Sequence, residues 1–298
     1  MICFRRVITV STRTRRLVAV AATILAGSGC TMGPSASRSA DRESTGSTFT
    51  TAPPSPASSV QPSTTLAPVT TTLATSAPSQ PLSGITIGVD PGHNGQNYAH
   101  PEIINAPIWN GRSNEACNTT GTATDSGYTE AQFNWNIAQY LEADLQAEGA
   151  MVVLTRTSND GVGPCVNVRA QILNTANVSI AIHADGGPAS GRGFAVLEPV
   201  ADGPNDNVIA SSSAFGSIVR GTYLADTGMP ASDYDGVDGI APRTDLAGTN
   251  LTTVPYVLIE CGNMRNAVDA ALLISPAFQQ TAAKALTDAI TRYVAQRS

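Results

Sequence analysis

The chain has 298 residues, 42% of them hydrophobic and 13% charged, with a formal net charge of −6. That balance indicates a globular core and excludes a wholly disordered chain. From Gly84 to the C-terminus, ten basic residues stand against 21 acidic ones, a net of −11; this excludes a nucleic-acid partner and disfavours anionic membrane surfaces, because phosphate binding depends on basic patches and counterion release.

The first residues carry a different signal. Met1 to Arg16 holds five arginines and no acid, and Leu17 to Gly29 is apolar or small and uncharged. A basic stretch followed by an apolar run too short to span a bilayer permanently predicts a signal peptide over residues 1–30. Cys30, after small residues at the end of the run, resembles the lipidation cysteine of bacterial lipoproteins, although Gly27 stands where that class prefers leucine. Export with a lipid anchor and export by ordinary cleavage both remain open, and membrane contact is expected only through Cys30. Residues 31–83 are dominated by Ser, Thr, Pro and Ala. Such a segment buries too little apolar surface to offset its ordering entropy, so a solvated tether is expected, with the folded domain over 84–298.

From Ile85 onward, apolar runs alternate with helix-period segments. ITIGVD predicts a strand. After a long loop, Thr129 to Glu148 places Phe133, Ile137, Tyr140, Leu141 and Leu145 on one face, with Thr129 and Gln132 as a capping box and Gly149 as the stop. MVVLTR, VSIAIH, Gly193 to Glu198 and PYVLIE read as further strands. Helices are expected over Val166 to Asn177, from about Asn207 to Thr227, over Arg265 to Ile274 and over Pro276 to Gln296. Near-continuous apolar strands alternating with helices predict a single α/β domain: a mostly parallel mixed sheet with helices on both faces.

The cysteines sort by surroundings. Cys117 and Cys165 lie in loop sequence rich in Gly, Pro and Asn, whereas Cys261 follows an apolar strand. In an exported protein this predicts a Cys117–Cys165 disulfide and a buried free thiol at Cys261.

In α/β sheets ligands bind outside the carboxyl ends of the strands. Three strands deliver a functional side chain there: His93 just past ITIGVD, His183 closing VSIAIH and Glu260 closing PYVLIE. Two of only three histidines at equivalent strand ends suit a neutral-imidazole metal site, and a catalytic zinc needs a third protein ligand. Glu130, at the first helical position, is the leading candidate; Glu102, Glu115, Asp125 and His100 are rivals from the same loop. Asp90 and Asn94, flanking His93, are expected to orient it from behind, and Arg243 to grip a substrate carboxylate or else pair with Asp245.

The segments DPGHNG, GYTEAQFNWNIA, SIAIHADGGP and VPYVLIECGNMRN, in this order and spacing, resemble the zinc-dependent N-acetylmuramoyl-L-alanine amidases of the autolysin type. The resemblance implies Zn2+ as cofactor, held by His93, Glu130 and His183. It implies Glu260 as the catalytic glutamate of a P-x-x-L-x-E-x-G-x-x-x-N segment, here Pro255, Leu258, Glu260, Gly262 and Asn266. Two positions depart from the common pattern: HNG replaces HGG in the first motif, and Cys261 stands where an apolar residue is usual. The implied partner is peptidoglycan or a muropeptide, acted on by a monomer in the cell envelope. The implied reaction is hydrolysis of the amide between N-acetylmuramic acid and L-alanine. The same ligands would also serve a zinc peptidase acting within the stem peptide, and a muropeptide-binding regulator without activity is the non-enzymatic alternative.

Overall fold

The computed structural model describes residues 80–297. The expected signal peptide, Cys30 and the Ser/Thr/Pro-rich segment up to residue 79 lie outside the described residues. In chain order the elements are β1 (Thr86–Pro91), α1 (Pro101–Ile104), β2 (Pro107–Trp109), β3 (Asn114–Ala116), α2 (Glu130–Ala147), β4 (Met151–Leu154), α3 (Val166–Leu173) and β5 (Val178–Asp185). There follow β6 (Ala195–Pro199), α4 (Ile209–Thr227), β7 (Ile240–Arg243), α5 (Ala247–Leu251), β8 (Tyr256–Asn263), α6 (Ala267–Leu273) and α7 (Pro276–Ala295).

Six strands form one sheet in the order β4-β1-β5-β8-β6-β7. β4, β1, β5 and β8 run parallel, and β6 is antiparallel to β8. This is the mixed, mostly parallel α/β sheet expected from the sequence. β2 and β3 make a separate hairpin in the loop after β1.

The two faces of the sheet are covered unequally. Side chains alternate along a strand, so Val178, Ile180, Ile182 and Ala184 of β5, with Val257, Ile259 and Cys261 of β8, share one face. There they pack against Phe133, Ile137 and Leu141 of α2, Phe215 and Val219 of α4, and Leu286 and Ile290 of α7. Each of the larger side chains contributes roughly 1.5–3 kcal/mol by leaving water, so this layer holds most of the stability. The opposite face carries a smaller cluster containing Leu173, Ala181, Leu197, Tyr256 and Leu258. Among the described residues, α3, α5 and the loop around Cys117 lie over it, and His183 and Glu260 fall on this face by the same alternation.

Several element ends differ from expectation. Leu82 is fully buried and its amide donates to the Glu148 carbonyl, so the packed domain begins slightly before Gly84. The helix from Val166 stops at Leu173, and Asn177 instead exchanges hydrogen bonds with Thr86. The helix expected from Arg265 starts at Ala267, because the Asn266 side chain caps the Val268 and Asp269 amides. β7, α5 and the β2–β3 hairpin are too short to show a period.

Candidate metal and catalytic site

β1 and β5 place the two histidines. The Gly92 amide donates to Ile182, and a Cβ at Gly92 would lie 2.2 Å from the His183 ring, so only glycine lets the turn pass over that imidazole. His93 itself adopts a left-handed backbone, φ 59°, which costs a non-glycine residue roughly 1–2 kcal/mol. Arg169 offsets that cost: its Nη2 donates to the His93 carbonyl at 2.6 Å and its Nη1 to the Pro91 carbonyl at 2.8 Å. Bonds from a charged donor contribute roughly 1.5–3 kcal/mol each. Arg156 adds bonds to the carbonyls of Pro91, Gly92 and Ala131, tying the turn to α2.

Glu130 is the first residue of α2. Thr129 caps this helix, its hydroxyl accepting from the Gln132 amide at 3.3 Å. The capping box is half formed, because the Gln132 side chain turns to Asn136 and Asn159 instead of back to Thr129. Glu130 Oε2 accepts from the Thr122 amide at 2.9 Å and Oε1 from the Ala184 amide at 3.3 Å. Oε1 stands 3.0 Å from His93 Nε2 and 2.9 Å from His183 Nδ1. The imidazoles meet edge to face, with centroids 4.9 Å apart.

One ligand atom from each of His93, Glu130 and His183 thus falls within 4.8 Å of the others. Ligands at zinc-bond length and tetrahedral angles lie about 3.3 Å apart, so opening the 2.9 and 3.0 Å contacts between Glu130 and the two histidines slightly accommodates such an ion, and two imidazoles with a carboxylate are a donor set zinc accepts. His93 Nδ1 faces the Thr119 carbonyl at 3.1 Å. The Thr119 hydroxyl stands at the same distance and can donate or accept, whereas the carbonyl can only accept; with the Nδ1 proton directed at that carbonyl, Nε2 is free to present a lone pair to a cation. Burial alone would raise the Glu130 carboxyl, but His93 and His183 together hold it well below the usual carboxylate range.

Glu260 pairs with His183 in the register of β5 and β8, so the two side chains stand next to each other on the thinly covered face. Its Oε2 has no hydrogen-bond partner. Burial, then the carboxylates of Glu130, Asp185 and Asp235, push its carboxyl well above the usual range, while Arg243 opposes them. A cation on the three ligands would pull in the same direction as Arg243.

Over residues 87–292 the chain matches the family model described as N-acetylmuramoyl-L-alanine amidase. It is 39% identical over 223 residues to the N-acetylmuramoyl-L-alanine amidase Rv3717 of Mycobacterium tuberculosis, covering 72% of this chain and 88% of the relative. The chain belongs to the N-acetylmuramoyl-L-alanine amidase family. Solved amidase structures share its fold. That of the Mycobacterium smegmatis enzyme has 38% identity and a TM-score of 0.67 over 72% of this chain and 99% of that one. The apo form from Mycobacterium abscessus has 36% identity and a TM-score of 0.67 over 71% and 99%.

In this amidase domain the rival ligands are engaged elsewhere. His100 pairs with Glu102 at 3.0 Å, Asp125 with Arg265 at 3.2 Å, and Glu115 accepts from the Ala247 amide at 3.1 Å. Neither Asp90 nor Asn94 makes a hydrogen bond to the His93 ring. Asp90 sits under the turn, bound to Thr155 and, at 2.6 Å, to Arg169, and so acts on the backbone through that arginine. Asn94 folds back onto the Gly95 amide at 2.8 Å. The residue that faces the outer nitrogen of His93 is Thr119, a loop residue with no pattern to reveal it.

Arg243 lines the groove with Glu260, His183 and Asp185, and also makes a two-point ion pair with Asp245, Nε–Oδ1 2.8 Å and Nη2–Oδ2 2.7 Å. Both uses foreseen for it are therefore compatible with its position. Cys117 and Cys165 form a disulfide. Cys261 is a buried free thiol on the helix-rich face, and burial pushes it up to about 12.

Proposed function

We propose that this chain hydrolyses the amide between the lactyl group of N-acetylmuramic acid and the L-alanine of the peptidoglycan stem peptide. The observation that carries the reading is the placement of Glu260 beside His183 in strand register, with His93 and Glu130 converging on the same imidazole. His93, Glu130 and His183 would hold a zinc ion. When bound there, zinc supplies Lewis acidity that polarises a carbonyl oxygen and brings the pKa of water toward neutrality.

The remaining work falls to the chain's own groups. Glu260 takes the proton of the attacking water at its carboxylate and returns it to the departing amine of L-alanine. Thr119 keeps His93 in the tautomer that points Nε2 inward. Arg243, at the rim of the groove, meets a carboxylate of the stem peptide. Export through the leader would deliver the domain to the cell envelope as a monomer, with the Ser/Thr/Pro-rich segment from residue 31 to residue 79 as a tether and Cys30 as the lipid attachment point.

Mass spectrometry of wall digests tests the reaction. Glycan strands freed of peptide, together with peptides keeping an N-terminal L-alanine, are expected. Shortened stem peptides still attached to muramic acid would overturn the proposal in favour of a peptidase.

A further inference from the structure

A second hollow opens beside the two histidines, lined by neither Glu260, Asp185 nor Arg243. Its volume is about 150 Å³, and it shares His93, Thr119, His183, Leu246 and Leu258 with the catalytic groove. Tyr256 and Leu258 of β8 form its floor, continuing the strand face that carries Glu260. Ala170 and Leu173 of α3 form one wall and Leu246 and Ala247 the opposite one.

The roof, Ala116 to Thr119, is tied by the Cys117–Cys165 disulfide to the start of α3, so the cavity is held between covalently joined walls. The charged groups at its edge are committed elsewhere. Arg169 pairs with Asp90, and Glu115 accepts from the Ala247 amide. A small apolar group therefore suits this hollow, and a charged or strongly polar one does not.

Proton transfer decides which part of a substrate reaches it. Glu260 must come within about 2.6–3.2 Å of the leaving nitrogen to protonate it. The amine side of the scissile bond, and the peptide beyond it, therefore lie toward Glu260, Asp185 and Arg243. The acyl side points the other way, across the two histidines and into the hollow. We infer that this cavity is an acyl subsite that receives the methyl branch of the lactyl group, with space for a somewhat larger aliphatic branch.

This rests on the amidase reading, and the test separates the two. Three synthetic N-acetylmuramyl-type dipeptides, differing only in the acyl branch, are offered to the zinc-loaded full chain: glycolyl with no branch, lactyl with a methyl, and the homologue with an ethyl. One methylene in an apolar pocket changes kcat/KM by roughly tenfold or more. The lactyl substrate should therefore be cut at least about tenfold faster than the glycolyl one, and the ethyl homologue should be accepted.

Ala170→Leu, which fills the wall away from the metal ligands, should reverse the order, with a loss that grows with branch size. Ala247→Leu, on the opposite wall, provides the same comparison if the first variant melts early. Equal rates for glycolyl and lactyl substrates in the unmodified chain overturn the subsite, as does a loss in both variants that is the same for all three substrates. Failure to cut any of the three at the acyl–alanine bond overturns the amidase reading itself.

Discussion

Arg169 donates to the carbonyl of His93 at 2.6 Å while its neighbouring nitrogen is paired with buried Asp90 at 2.6 Å. One guanidinium thus anchors the left-handed turn that aims the imidazole. Lysine keeps the charge but not the fork that serves both partners. Arg169→Lys should leave the fold intact yet weaken zinc binding by roughly ten- to a hundredfold, the usual cost of losing support behind a metal ligand. Competition with a chelator of known affinity measures it; an unchanged zinc affinity would remove Arg169 from the positioning of His93.

Ligands and base have separable roles. Glu260→Ala should retain near-stoichiometric zinc and lose activity on the order of a hundredfold or more. His93→Ala and His183→Ala should lose metal and activity together. Metal analysis beside rate measurements distinguishes them, and loss of zinc from Glu260→Ala would make that glutamate a ligand.

The Cys117–Cys165 bridge spans 48 residues of sequence. Closing such a loop stabilises by roughly 4 kcal/mol in the chain-entropy account. Cys117→Ala/Cys165→Ala should lower the denaturant midpoint accordingly, and an unchanged midpoint would mean that the bridge constrains little.

Glu198 of β6 is buried against Gly216 of α4, with Oε1 unpartnered, and burial raises its carboxyl above the ordinary value of 4.5. A raised carboxyl favours the folded state while protonated. That stability is fully present below 4.5 and is lost as pH rises through the raised value. The Tm of the native chain relative to Glu198→Gln, which does not titrate, should therefore fall as pH rises above about 4.5. A pH-independent difference would show that Glu198 keeps an ordinary pKa.

If Cys30 is lipidated, the full chain should partition into detergent and incorporate a fatty-acid probe, and Cys30→Ala should do neither. Absence of label from the unmodified chain points to simple secretion.

The sequence by itself determined the strand order of apolar runs, the two histidines and the glutamate at strand ends, and the family, because these reside in local periodicity and in contiguous motifs. It also placed Cys117 and Cys165 in loops and Cys261 directly after an apolar strand. It made Glu130, at a helix start, the leading third ligand, with Glu102, Glu115, Asp125 and His100 from the same loop as rivals that no local pattern could dismiss.

The sequence named Glu130 as the leading third ligand; the tertiary structure supplies the meeting with both histidines. That meeting depends on α2 docking against β5, so that the Thr122 and Ala184 amides meet its carboxylate and both imidazoles reach it. The same holds for Thr119 behind His93, for Asp90 acting through Arg169, and for the cavity beside the histidines. Each joins residues from segments far apart in the chain, and no local spacing encodes such a meeting. It arises because three long helices cover one face of the sheet, leaving the other to two short ones and a disulfide-tied loop.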